Sequence, residues 1–209
     1  MRFKPLVTLN IAIIGNGKIA EVLATKLALG GHNICIGLKE GEKFYDQPLF
    51  DTFTNMQDCS IEDAGSMADL VIIAVPPKDV REVAYWLGDM KGKVIVDMTS
   101  TYFYDLSNYI NTVNAIKAIS GTQHIVKCFS AVDYMELLPA ATKDRRSIFV
   151  AGNSKKGKEV MRWLAADLDF DTCYDMGEEE AIASLEQMAM TWMNSVLSHE
   201  KVLVPVKKY

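Results

Sequence analysis

Thr8 to Glu40 reads TLNIAIIGNGKIAEVLATKLALGGHNICIGLKE, and this stretch decides the fold. Leu9 to Ile14 is an almost unbroken apolar, β-branched run, the pattern of a strand covered by helices on both faces. Gly15, Gly17 and Ala20 follow as G-x-G-x-x-A. Gly15 permits a tight turn, Gly17 leaves room for a ligand to approach the backbone, and Ala20 is small enough for helix to pack closely on strand. Lys18 to Leu29 then carries Ile19, Val22, Leu23 and Leu27 at helical spacing and stops at Gly30-Gly31, before a second strand from Asn33 to Gly37. The free N–H groups of the helix's first turn point to where phosphates would sit, so strand, glycine turn, helix and strand imply a bound dinucleotide. The competing reading is an α/β domain that keeps the turn for packing alone.

The tip of the second strand bears on which dinucleotide. NAD-selective sites usually place a carboxylate here for the adenosine ribose, whereas NADP-selective sites place cations for the 2′-phosphate. This chain offers Leu38, Lys39, Glu40 and Lys43. With no acid at the tip and Lys39 placed to meet a phosphate, NADP is favoured over NAD. The alternative leaves Lys39 and Lys43 in a solvated loop, with Glu40 holding a ribose.

Composition narrows the classes. The chain has 209 residues, 49% of them hydrophobic, which suits one α/β domain with a sizeable core. A formal net charge of −5 argues against nucleic acid as the main partner. Cys35, Cys59, Cys128 and Cys173 are widely separated, without a C-x-x-C pair or a metal-ligand pattern, so four reduced thiols and no metal site are expected. The N-terminus runs directly into the first strand, too short for a signal peptide, and no apolar run approaches a membrane span. A cytoplasmic protein without a membrane partner is the expectation.

The remaining sequence alternates strand and helix. Ser60 and Asp63 resemble a capping box for a short helix through Ala68. Leu70 to Val75, Lys93 to Asp97, His124 to Phe129, Ser147 to Ala151 and Asp171 to Asp175 read as strands. Lys78 to Leu87, Ser107 to Ile119, Val132 to Ala141 and Lys155 to Leu168 read as helices. The fold predicted is α/β, a doubly wound, mostly parallel sheet over residues 1–177 with a helical extension over residues 178–209.

Ligands of such sheets sit outside the carboxyl ends of the strands. Those ends are Gly15 to Gly17, Leu38 to Lys39, Ala74 to Pro77, Asp97 to Ser100 and Cys128 to Ala131. Val75, Pro76, Pro77, Met98, Thr99 and Ser100 supply an apolar and hydroxyl lining suited to a nicotinamide and its ribose, though each also reads as an ordinary turn residue. In the extension, Ile182, Leu185, Ala189, Trp192 and Val196 form an apolar stripe widened by Met188, Met190 and Met193. It either closes its own domain, pairs with a second subunit as a homodimer, or walls a planar substrate. No catalytic residue is assigned: hydride passing between two stacked rings requires positioning and exclusion of water rather than a proton donor. A carbonyl or imine substrate would require a general acid, for which His124, Lys127, Tyr134 and Asp97 are the candidates. His124 starts a strand at the far edge, His32 caps or decorates a turn, and His199 lies near the C-terminus.

The segments IGNGKIAEVLATKLALGGHNICIGLKEGEK, ADLVIIAVPPKDV, VIVDMTS, IVKCFSA and IFVAGNSKKGKEVMRWLAADLDFDTCYDMG, with the methionine-rich terminal helix, resemble in order and spacing the coenzyme F420-dependent NADP oxidoreductase family. The resemblance covers nearly the whole chain and implies a Rossmann-type domain that passes hydride between NADP(H) and the deazaflavin F420 or a flavin-like acceptor. It assigns the phosphate loop to Gly15, Asn16, Gly17, Lys18 and Ile19. The family's Ser-Arg pair and following lysine fall on Leu38, Lys39 and Lys43, and its K-A-F-N segment beside the nicotinamide on Lys127, Cys128, Phe129 and Ser130. Leu38 loses a hydroxyl, Lys39 is a point charge where the family has a fork, and Ser130 replaces the asparagine. The same unit resembles the cytosolic domain of membrane ferric reductases, and the first domain of pyrroline carboxylate reductases and 6-phosphogluconate-type dehydrogenases. Two functions follow as expectations: an NADP-dependent oxidoreductase, or an NADP-binding regulatory or scaffolding protein without turnover.

Overall fold

The structure is a computed structural model that describes residues 7–44, 46–99, 112–130 and 147–198. An eight-stranded sheet forms its centre, in the order β3-β2-β1-β4-β5-β6-β7-β8. The strands are β1 (Asn10–Ile14), β2 (Asn33–Leu38), β3 (Met56–Ser60), β4 (Leu70–Ile73), β5 (Val94–Asp97), β6 (His124–Ser130), β7 (Ser147–Ala151) and β8 (Thr172–Asp175). β1 to β6 run parallel; β7 runs antiparallel to β6, and β8 follows β7 in parallel. The helices are α1 (Lys18–Leu29), α2 (Pro48–Thr52), α3 (Ile61–Met67), α4 (Val80–Leu87), α5 (Thr112–Ser120), α6 (Lys155–Leu164) and α7 (Ile182–Ser198).

Alternation along the strands divides the core. Ile11 and Ile13 of β1 face α1 and α6, whose Leu23, Leu27, Met161 and Leu164 are fully buried. Ala12 and Ile14 face the layer of α3, α4, α5 and α7. Because helices cover both faces, the central strands are apolar on both sides, which is why they read as continuous runs rather than alternating ones. The doubly wound α/β architecture is therefore as expected.

Local signals explain most element boundaries. α1 spans Lys18 to Leu29 and stops where Gly31 takes φ +92°. Ser60 caps α3, its hydroxyl accepting from the Asp63 amide at 3.0 Å. The expected Lys78 to Leu87 helix is divided into a 3₁₀ turn over Pro77–Asp79 and α4. α6 stops at Leu164, and the chain passes through Asp169 at φ +62° before β8. The helix expected over Val132 to Ala141, with Tyr134, lies outside the described residues, as do Ser100, Ala131 and His199.

Three readings need correction. α2 and β3 occupy residues 48–60, where no strand was expected before the Ser60 cap. β3 is an edge strand, MQDCS, with only Met56 buried, so it lacks an apolar signature. Its pairing places Cys35 opposite Gln57 and Gly37 opposite Cys59, bringing Cys35 and Cys59 together at a Cα separation of 6.6 Å, where they form a disulfide. Cys128 and Cys173 are free thiols. His32, expected to cap or decorate a turn, is fully buried; its Nδ1 accepts from the Leu9 amide at 3.2 Å and its Nε2 lies 3.3 Å from Asp167.

Candidate functional site

The loop after β1 meets the loop after β4 at the carboxyl edge of the sheet. Gly15 adopts φ +139°, and a Cβ there would run into the Ala74 carbonyl oxygen. Its amide donates to Gly37 O at 3.4 Å, and the Ala74 amide donates to Ile14 O at 2.9 Å, tying three strand ends together. Gly17 differs. It is the N-cap of α1 in extended backbone, with no side-chain cap, and a Cβ built on it meets no heavy atom within 4 Å. Asn16, Gly17 and Lys18 are exposed and Ile19 half-buried. The first turn of a helix is its positive end, and the space over Gly17 lets a bulky anion approach the backbone there. Lys18 holds Glu21, the acid of that turn, at 2.7 Å.

The β2 tip is more crowded than its sequence suggests. Leu38 is buried, so it offers packing rather than a polar contact. Lys39 Nζ lies 2.8 Å from Glu82 Oε2 and 3.5 Å from Asp79 Oδ1, and 5.3 Å from the Trp86 ring centroid. The Glu82 hydrogen bond is the main reason that the Lys39 pKa is raised. Lys43 is exposed.

On the other side of the switch point, Val75 and Pro76 are half-buried beside the glycine loop and Pro77 is buried where the 3₁₀ turn begins. Thr99 is buried, and its amide donates to Asp97 Oδ1 at 2.9 Å. Cys128 is buried in the layer of α1 and α6, and that burial pushes its thiol pKa well up, so it contributes packing rather than charge.

A buried polar knot joins β5, β6, α5 and α7, and sequence reasoning missed it as a unit. Strand register sets Asp97 opposite Lys127. Lys127 Nζ reaches Asp97 Oδ2 at 3.1 Å, Thr99 Oγ1 at 2.9 Å and Thr112 Oγ1 at 3.2 Å, while Thr112 also donates to Asp97. Glu186 Oε1 of α7 lies 3.3 Å from the same ammonium. Among the described residues that oxygen makes no hydrogen bond, so its contact with Lys127 is one of charge. Lys127 and Asp97 each appear in the sequence as an isolated charge in an apolar strand, which is the only available signal; Thr112 and Glu186 carry none. Ile182 and Leu185 of α7 are buried against the sheet, so its first turns close their own domain. Among the described residues no group of His, Cys, Asp or Glu could hold a metal ion, and no helix is long and apolar enough to cross a membrane.

A mostly parallel sheet with a glycine turn and a helix start at its switch point defines a Rossmann-type α/β fold. Residues 10–101 match the family model described as NADP oxidoreductase, coenzyme F420-dependent. A protein from Arthrobacter sp. FB24, assigned as an F420-dependent NADP reductase, has the same fold, with a TM-score of 0.73, 22% identity, and coverage of 91% of this chain and 94% of that one. A reductive aminase from Aspergillus terreus in complex with NADPH and ethyl levulinate superposes with a TM-score of 0.65 at 16% identity, covering 92% of this chain and 63% of the aminase. The rat metalloreductase STEAP3 is 21% identical over 187 residues, which are 89% of this chain but only 37% of that protein.

Proposed function

We infer that this protein is an NADP(H)-dependent oxidoreductase that moves a hydride between the nicotinamide and a planar flavin-like or deazaflavin acceptor. The observation carrying this reading is the α1 N-terminus, whose N-cap is a glycine with open space over it, at the point where the sheet reverses its strand order. In this reading the loop from Gly15 to Ile19 holds the pyrophosphate, with Gly15 shaping the turn and the backbone of the following residues facing the anion. Lys39 and Lys43 serve the adenosine 2′-phosphate, and Val75, Pro76, Pro77, Thr99 and the backbone at Cys128 line the nicotinamide half. The family match, and similarity to proteins named as reductases, support the reaction class. The nicotinamide supplies the hydride; the chain's residues orient the ring and exclude water. The apolar stripe of the terminal segment would serve the acceptor or a second copy of the chain.

Calorimetric titration with NADP⁺ and NADPH tests binding, and the disappearance of NADPH absorbance in the presence of F420, FMN, FAD or a ferric chelate tests turnover. Saturable binding with oxidation by one acceptor is expected. Binding without oxidation by any of them would favour a regulatory protein. No heat with either nucleotide would end the dinucleotide reading.

A further inference from the structure

The cation at the β2 tip already has partners. Glu82 and Trp86 lie one turn apart on α4, so the Lys39 stem runs along one helix face, with its ammonium between Glu82 and Asp79. The side chains of Lys39 and Asp79 are each 26% exposed and that of Glu82 is 50% exposed. This triad of one positive and two negative charges is net negative, and so exposed a cluster contributes little to stability.

We propose that Glu82, with Asp79 beside it, determines cofactor specificity: it is an internal anion that holds Lys39 and that an incoming 2′-phosphate must displace, narrowing the preference for NADP(H) over NAD(H). This rests on the dinucleotide reading above. A guanidinium could keep one carboxylate and still present a second edge to phosphate, whereas an ammonium is a single point charge. A phosphate dianion must therefore compete with Glu82 and approach two carboxylates. The unphosphorylated ribose brings hydroxyls that donate to a carboxylate and leave the lysine pair intact, which is the contact that acids make in NAD-selective sites.

The test is calorimetric titration of NADP⁺ and NAD⁺ into the full chain, its Glu82→Gln and Lys39→Met variants, and the double variant. Glu82→Gln is expected to raise the NADP⁺ to NAD⁺ affinity ratio by about fivefold, the upper range for one exposed pair. In the Lys39→Met background the same change is expected to raise the ratio clearly less, because no cation remains to be released and only the direct contacts of Glu82 are lost. An unchanged or lowered ratio in the single variant overturns the proposal. So does an equal rise in the Lys39→Met background, which would show that Glu82 acts through its field rather than through Lys39. If the unmodified chain binds neither nucleotide, the dinucleotide reading fails first; if it binds both and the ratio does not move, this inference alone fails.

Discussion

At the residue scale, the two glycines of the motif do different work. Gly15→Ala forces a side chain into φ +139° and against the Ala74 carbonyl. A loss of about 2 kcal/mol or more in folding stability is expected, measurable as a lower denaturation midpoint. Gly17→Asp enters open space at an N-cap position, where aspartate favours a helix. The variant is expected to melt at the same temperature or higher while losing nucleotide binding, because its carboxylate would face the pyrophosphate. Binding retained by Gly17→Asp would contradict the phosphate loop. The Lys127 side chain is 3% exposed and that of Asp97 is fully buried, so Lys127→Met strands a buried charge. A loss of about 3–5 kcal/mol is expected by chemical denaturation, with part of it recovered when Asp97→Asn is added.

At the element scale, α6 is clamped to the end of β8 by Lys158, which lies 2.7 Å from Asp175 Oδ1 and donates to Gly177 O at 2.8 Å. The Lys158 hydrogen bond holds the Asp175 pKa below its ordinary 3.8. A depressed carboxyl stabilises the folded state above that ordinary value, and the contribution fades as pH falls through the folded one. Asp175→Asn is therefore expected to lower stability at neutral pH by less than about 1 kcal/mol, and the difference from the unmodified chain should shrink as pH falls below the ordinary 3.8. Thermal melts across that range test the clamp. The elements themselves were legible wherever burial was two-sided: β1, β2, β4, β5 and β6 announced themselves as apolar runs, and α1 by its spacing and glycine stop. β3 was not, because an edge strand with one buried residue satisfies no periodic rule. With β3 unread, the Cys35–Cys59 bond had no basis either, since a disulfide depends on which strands are neighbours.

At the scale of the whole molecule, a ligand that binds only the folded chain stabilises it according to its affinity. NADP⁺ at 100 times its dissociation constant is expected to add about 2.7 kcal/mol, seen as a concentration-dependent rise in melting temperature. No rise at any concentration would count against binding. The sequence by itself determined the parallel core and the glycine turn between β1 and α1, because both rest on local patterns: continuous apolar strands and glycines at fixed offsets beside a helix start. It also placed the candidate residues on one edge, since strand ends follow from strand order along the chain. Only the tertiary structure decided what those residues touch. Glu82 lies far from Lys39 in sequence, and Asp97, Lys127, Thr112 and Glu186 come from four separate elements; charges pair through space, and side-chain periodicity carries no record of which element packs against which.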